Sequence, residues 1–373
     1  MHRKCWITLA GCCLLSFSMI GQSIQDWRMS NMIEWGRIIR HTPKFGPPIN
    51  GKTWVNELTF FRQTTGARPW EAEHNFPEHG FSFQFNDFGD PEVFGQAYAL
   101  HTHFGYNFLR KGPFNMHFRL GFGLAYLSKP FDPVTNRINN VIGSHFNAIV
   151  KFRMGMRYRV SPLFRLELSG AFTHLSNGST TKPNLGYNTG TLGLGLIYQP
   201  QIDDRSTYNE WEPRPKVHKK IRFNTELHLG YKEAQAPNGP LLPSYSLVVT
   251  ANRMLNQVQR FHLGFELEYN TATLAFLDQV EPFEEEQENR RQALRFSITA
   301  NDEILIGKFS INFVLGAYLS NSFGQEYWLY TKLGCRYYPM MASKYNRRLY
   351  MGIYLKAHQA TADHISYSLG WAF

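Results

Sequence analysis

The chain has 373 residues, of which 43% are hydrophobic, 15% aromatic and only 18% charged, with a formal net charge of +10. Beyond the N-terminus no apolar run approaches the ~18 residues of a spanning helix, which excludes a helical membrane protein. The positive charge is scattered as single Arg, Lys and His residues at alternate positions, with no basic block, so nucleic acid is excluded as a partner.

His2, Arg3 and Lys4, followed by the mostly apolar run from Cys5 to Ile20, read as a secretory signal peptide over residues 1–22. Cys5, Cys12 and Cys13 lie within it. Cys335 alone remains, so neither an internal disulfide nor a thiolate metal cluster is expected.

A weaker strand lies near Glu34–Arg40, and alternation with a period of two then recurs almost to the end. Strands are predicted at Trp54–Gln63, His79–Asp87, Phe94–Leu109, Phe114–Tyr126, Ser144–Val160, Phe164–Ser176 and Gly190–Gln199. A polar stretch with Pro213 and Pro215, residues 201–220, follows. Further strands are predicted at Ile221–Lys232, Ser244–Met254, Arg260–Tyr269, Leu294–Ile304, Lys308–Ser320, Tyr327–Tyr338, Arg348–Leu355 and Ile365–Phe373. Many of these runs extend for roughly 10 residues or more, enough to cross a bilayer at a tilt, where a soluble sandwich needs only ~5 or 6. The acidic stretch Glu281–Glu288 reads as a solvated loop.

These patterns predict an all-β fold: a transmembrane antiparallel β-barrel of about 16 strands, range about 12 to 16, in the outer membrane of a Gram-negative bacterium. It occupies residues 23–373, in two halves, 24–200 and 221–373, joined by 201–220. Ile365, Tyr367, Leu369, Trp371 and Phe373 resemble the C-terminal recognition strand of bacterial outer-membrane barrels, which implies the outer-membrane assembly machinery as a partner. One such strand, at the very end, favours one barrel over two in series.

The chemistry concentrates in His174-Leu175-Ser176-Asn177-Gly178. Phe164, Leu166, Leu168 and Phe172 form the apolar parity of their strand, and His174 and Ser176 continue it. A nucleophile and its base thus project from the side that faces lipid. After a loop at 177–187, the next strand carries Asn188 on its own apolar parity, beside His174. His takes the Ser proton and a third polar group orients the His. Asn184 and the Gly178 N–H are candidate oxyanion donors.

His174-x-Ser176-Asn177-Gly178, with Asn184 ten residues after the His, resembles the signature of the lipid A 3-O-deacylase family of outer-membrane barrels. The likeness is confined to roughly 93–199, and the second half is similar to longer members described as acyloxyacyl hydrolases. It implies His174 as base, Ser176 as nucleophile, Asn184 as oxyanion donor, lipid A of the lipopolysaccharide as substrate, and no metal or other cofactor. Minimal members carry Glu where this chain has Asn188; Asn can fix the His tautomer but cannot stabilise imidazolium by charge. The alternative is a non-catalytic barrel, a porin-like channel or a structural protein, and pairing with a second copy as a homodimer stays open. His101, His103, His117 and His262 fall on polar parities and are expected to fill the inner wall; Lys356, His358 and Asp363 are expected to form a charge network or a second pocket there.

Overall fold

The computed structural model describes residues 27–200, 204–212, 217, 219–234, 237–283, 285–320, 327–340, 348–359 and 361–373. The expected signal peptide lies outside the described residues. The described residues form sixteen strands: β1 Arg28–Ile38, β2 Thr53–Gln63, β3 Glu78–Asp87, β4 Gln96–Lys111, β5 Phe114–Leu127, β6 Phe146–Arg159, β7 Phe164–Ser176, β8 Tyr187–Tyr198, β9 Arg222–Glu233, β10 Leu241–Met254, β11 Gln259–Asn270, β12 Leu294–Ile306, β13 Phe309–Tyr318, β14 Leu329–Tyr337, β15 Leu349–His358 and β16 Thr361–Ala372. The all-β class and the strand number are as the alternation predicts.

Closure differs from the expectation of one barrel. β8 turns back onto β1, in register from Met29↔Tyr198 to Ile38↔Thr189. β16 pairs with β9, from Ile365↔Tyr231 to Ala372↔Asn224. The sixteen strands therefore make two closed antiparallel barrels of eight, β1–β8 and β9–β16. The physical reason is that backbone groups in hydrocarbon must all be paired, and β8 satisfies its free edge on β1 before the chain goes on. Of the connecting stretch, Asn209 and Trp211 return to the first barrel, donating to the Thr65 carbonyl at 2.9 Å and the Gly66 carbonyl at 2.6 Å.

Eight strands leave an interior just wide enough for side chains, and both interiors are filled. In the first, Lys151 Nζ lies 2.7 Å from Glu34 Oε1, 2.7 Å from Glu57 Oε2 and 2.9 Å from Gln84 Oε1. Arg153 also bonds both glutamates, and Arg157 reaches Glu78 and Glu167, each at 2.8 Å. In the second, Arg336 bonds Glu226 at 2.5 Å and Lys332 bonds Glu266 at 2.6 Å. Tyrosines fill the remaining space over glycines directly opposite them: Tyr330 on Gly316, Tyr354 on Gly334, Tyr350 on Gly370. The expected histidines point inward: His101, His103, His117 and His262 are all nearly inaccessible, with His117 3.4 Å from Glu167 and His262 3.0 Å from Glu303. Lys356 bonds Glu268, Asp363 bonds Lys232 at 2.7 Å, and His358 meets the Tyr318 hydroxyl at 2.9 Å.

The outer walls are apolar. Leu192, Leu194, Leu227 and Leu263 are each more than half exposed, an arrangement stable against lipid and not against water. No described helix is long and apolar enough to cross a membrane. Between β11 and β12 lie two short helices, α2 Thr271–Val280 and α3 Glu286–Gln292, after α1 at Pro69–Glu73; the acidic stretch Glu281–Glu288, expected as a loop, ends inside α3. Asn270 caps α2, its side chain accepting from the N–H groups of Ala272 and Thr273. At the end of the first barrel where β7 passes to β8, loops close over an apolar plug that includes Phe45, Phe88, Val141, Ile142 and Tyr187.

Candidate active site

On β7, Phe164, Leu166, Leu168 and Phe172 are 38–51% exposed, whereas Glu167, Ser169, Thr173 and Leu175 are buried in the barrel. His174 and Ser176 share the outward parity of the exposed set. Unlike those neighbours they are covered: Ser176 is buried, at 3% exposure, and His174 half-buried. Two strand residues place them about 6–7 Å apart along the wall. The register sets His174 opposite Asn188 on β8 and opposite Val150 on β6. Asn188 is also outward by parity and buried.

His174 Nδ1 lies 2.6 Å from Asn188 Oδ1. An amide oxygen only accepts, so with this placement Nδ1 carries the proton and Nε2 keeps its lone pair. That is the tautomer a base needs. The ring packs on Gly186, where φ is +84° and a Cβ would come within 2.8 Å of His174 Cε1; a side chain there would push the imidazole off its seat. The strand start is fixed from the other side. The N–H groups of Leu185 and Gly186 donate to the Val141 carbonyl at 2.8 and 3.1 Å, and a ring nitrogen of His41 bonds the Leu185 carbonyl at 3.0 Å.

Asn184 is buried just before that point, and Gly178 opens the loop at φ +62°. The Asn177 amide is spent on Ser144 Oγ, 2.8 Å away. Glu167 shares the strand but points inward, held by Arg157 and His117, so it cannot orient His174. The structure thus joins His174 to Asn188 directly, sets Ser176 on the same face, and carries Asn184 and Gly178 on the adjoining loop. His41 was missed in the sequence because residues 41–52 lie in a gap without periodicity. Among the described residues no group of three or more His, Cys, Asp or Glu is arranged to hold a metal ion.

Residues 56–196 match the family model "Lipid A 3-O-deacylase (PagL)", and residues 221–373 match "Acyloxyacyl hydrolase, C-terminal domain". No curated protein matches the chain. Among solved structures it is similar to the outer membrane enzyme PagL, at 14% identity over 44% of this chain and 97% of that one, with a TM-score of 0.33. It is also similar to Neisserial surface protein A (NspA), at 11% identity over 47% of this chain and 97% of that one, with a TM-score of 0.32.

Proposed function

Because the chain belongs to the lipid A 3-O-deacylase family, with an acyloxyacyl hydrolase C-terminal domain after it, we propose that it hydrolyses an ester-linked acyl chain of lipid A at His174 and Ser176. It is an outer-membrane β-barrel protein of a deacylase family, and the substrate's ester reaches the site from the outer leaflet. The observation that carries the reading is the His174–Asn188 pair, which leaves Nε2 as a base on the wall that faces lipid.

Ser176 Oγ attacks the acyl carbonyl carbon while His174 Nε2 takes its proton. The oxyanion is held by the Asn184 amide and the Gly178 N–H. As the C–O bond to the sugar breaks, His174 returns the proton to the departing sugar oxygen. Water, deprotonated by His174, then attacks the acyl-serine and releases the fatty acid. Strand β16, with Phe373 directly after it, is what the outer-membrane assembly machinery would read.

Asn188 sets the rate. Asn188→Ala leaves the Nδ1 proton without its partner, a loss of about 1–3 kcal/mol, or roughly 5- to 150-fold in kcat. Asn188→Glu supplies the missing negative charge and raises kcat. Kinetics on the two variants with lipid A check this; an unchanged kcat in both would remove Asn188 from the mechanism.

The reading itself is tested by incubating purified protein with lipid A and weighing the products by mass spectrometry. Loss of one ester-linked acyl chain is expected. The channel form of the alternative is opposed by the filled interiors, so planar-bilayer recordings should show no steady conductance. Intact lipid A together with conductance would overturn the enzyme.

A further inference from the structure

Two residues at the start of β8 serve the imidazole of His174: Gly186 seats the ring and Asn188 accepts from it. The connection that follows β1 ties this stretch down at the rim of the first barrel. The Ile39 N–H donates to the Asn188 carbonyl at 2.7 Å. Two residues on, His41 Nε2 lies 3.0 Å from the Leu185 carbonyl oxygen. A carbonyl only accepts, so Nε2 carries the proton and donates. Among the described residues the buried Nδ1 of His41 has no hydrogen-bond partner, so the Leu185 bond is the ring's one polar tie. Phe45, in the apolar plug, meets the ring edge-on with centroids 6.5 Å apart. The peptide group between Leu185 and Gly186 is thus pinned on both sides. Its N–H donates to Val141 and its carbonyl accepts from His41.

Gly186 has no Cβ and a left-handed φ of +84°, so the backbone that seats the base has no side chain of its own to anchor it. The partner of the base is also weak. A neutral amide oxygen holds an imidazole roughly half as strongly as a carboxylate would. A base works only if its lone pair is already aimed at the nucleophile's proton. We infer, resting on the proposed deacylase reading, that His41 is a positioning residue for His174: by pinning the Leu185–Gly186 peptide it holds the seat of the base, and so compensates for the neutral Asn188. His41, Leu185, Gly186, Asn188 and His174 all belong to the first compact unit. His41 needs no contact with substrate in this role.

The test compares His41→Asn and His41→Gln in the full-length protein, each alone and combined with Asn188→Glu. Each is assayed for kcat and KM on lipid A, with barrel assembly checked by heat-modifiable gel migration. Glutamine carries its amide donor at about the reach of Nε2; asparagine stops at about the reach of Nδ1. His41→Asn should lower kcat about 10-fold with KM unchanged, within the ~10²-fold that an ångström of misplacement can cost. His41→Gln keeps the donor and should retain kcat to within about 2-fold. Combined with Asn188→Glu, His41→Asn should lose less than about 3-fold, because a carboxylate then holds the ring. A purely structural role would cost the same factor with Asn188 or Glu at that position. Should His41→Asn fail to assemble, Phe45→Leu, which removes the ring's packing wall and leaves its N–H in place, should still lose several-fold in kcat. Full kcat in His41→Asn or in Phe45→Leu would overturn the inference, as would equal losses in His41→Asn and His41→Gln or equal losses with and without Asn188→Glu. A wild type that releases no fatty acid would instead overturn the parent reading, and this one with it.

Discussion

Ser176→Ala is expected to abolish fatty-acid release, a loss on the order of 10⁴-fold or more in kcat, with the barrel still assembled. The substitution removes one oxygen from a buried position at a strand end and creates no new charge, so stability should change little. His174→Ala should cost a similar factor. The double variant should be no slower than either single one, because a nucleophile without its base, or a base without its nucleophile, leaves the same residual catalysis. Rates from single-turnover fatty-acid release, with barrel assembly checked by heat-modifiable gel migration, decide the matter. Multiplicative losses in the double variant would mean that the two side chains act separately, and the covalent mechanism would fail.

The second large effect concerns folding. Glu57 is fully buried in the first barrel and accepts from Lys151, Arg153 and Thr59. Arg119 and His101 stand 3.7 Å away. Glu57→Ala leaves Lys151 and Arg153, both nearly inaccessible, with Glu34 as the one carboxylate they share. Uncompensated buried charge of this kind costs about 3–5 kcal/mol. The contrast is the exposed pair Glu286–Arg290, with side chains 75% and 65% accessible, where Arg290→Ala should leave stability almost unchanged. Denaturant titrations in detergent measure both. Equal, small losses would mean that the interior is wet and the ion network dispensable.

Much of this was legible in the sequence, for one physical reason. In a barrel wall each strand meets lipid on one side and polar filling on the other, so every strand writes its own alternation. β1 was read late, from Glu34, because its earlier outward positions include Asn31 and its inward ones include Met32, which blurs the pattern. β8 was read from Gly190, although it begins at Tyr187; its first three residues are buried on both parities. Closure into two barrels was not legible, since an eight-stranded and a sixteen-stranded wall carry the same alternation, and the terminal aromatic strand occurs once. The His174–Asn188 pair was legible because a hairpin fixes which residues of like parity face each other. The partners of Lys151 were not. Glu34, Glu57 and Gln84 stand 117, 94 and 67 positions away from it in the chain, and such contacts leave no periodic trace.

The early return of β8 to β1 also governs how the polypeptide acquires its shape. The closing strand pair of the first half bridges Met29 and Tyr198, and that of the second bridges Asn224 and Ala372. Neither half has to wait for the chain's other end. Each is a cooperative unit that nucleates on its own hairpins, so denaturation should proceed in two transitions, and a defect such as Glu57→Ala should shift one midpoint while leaving the other in place.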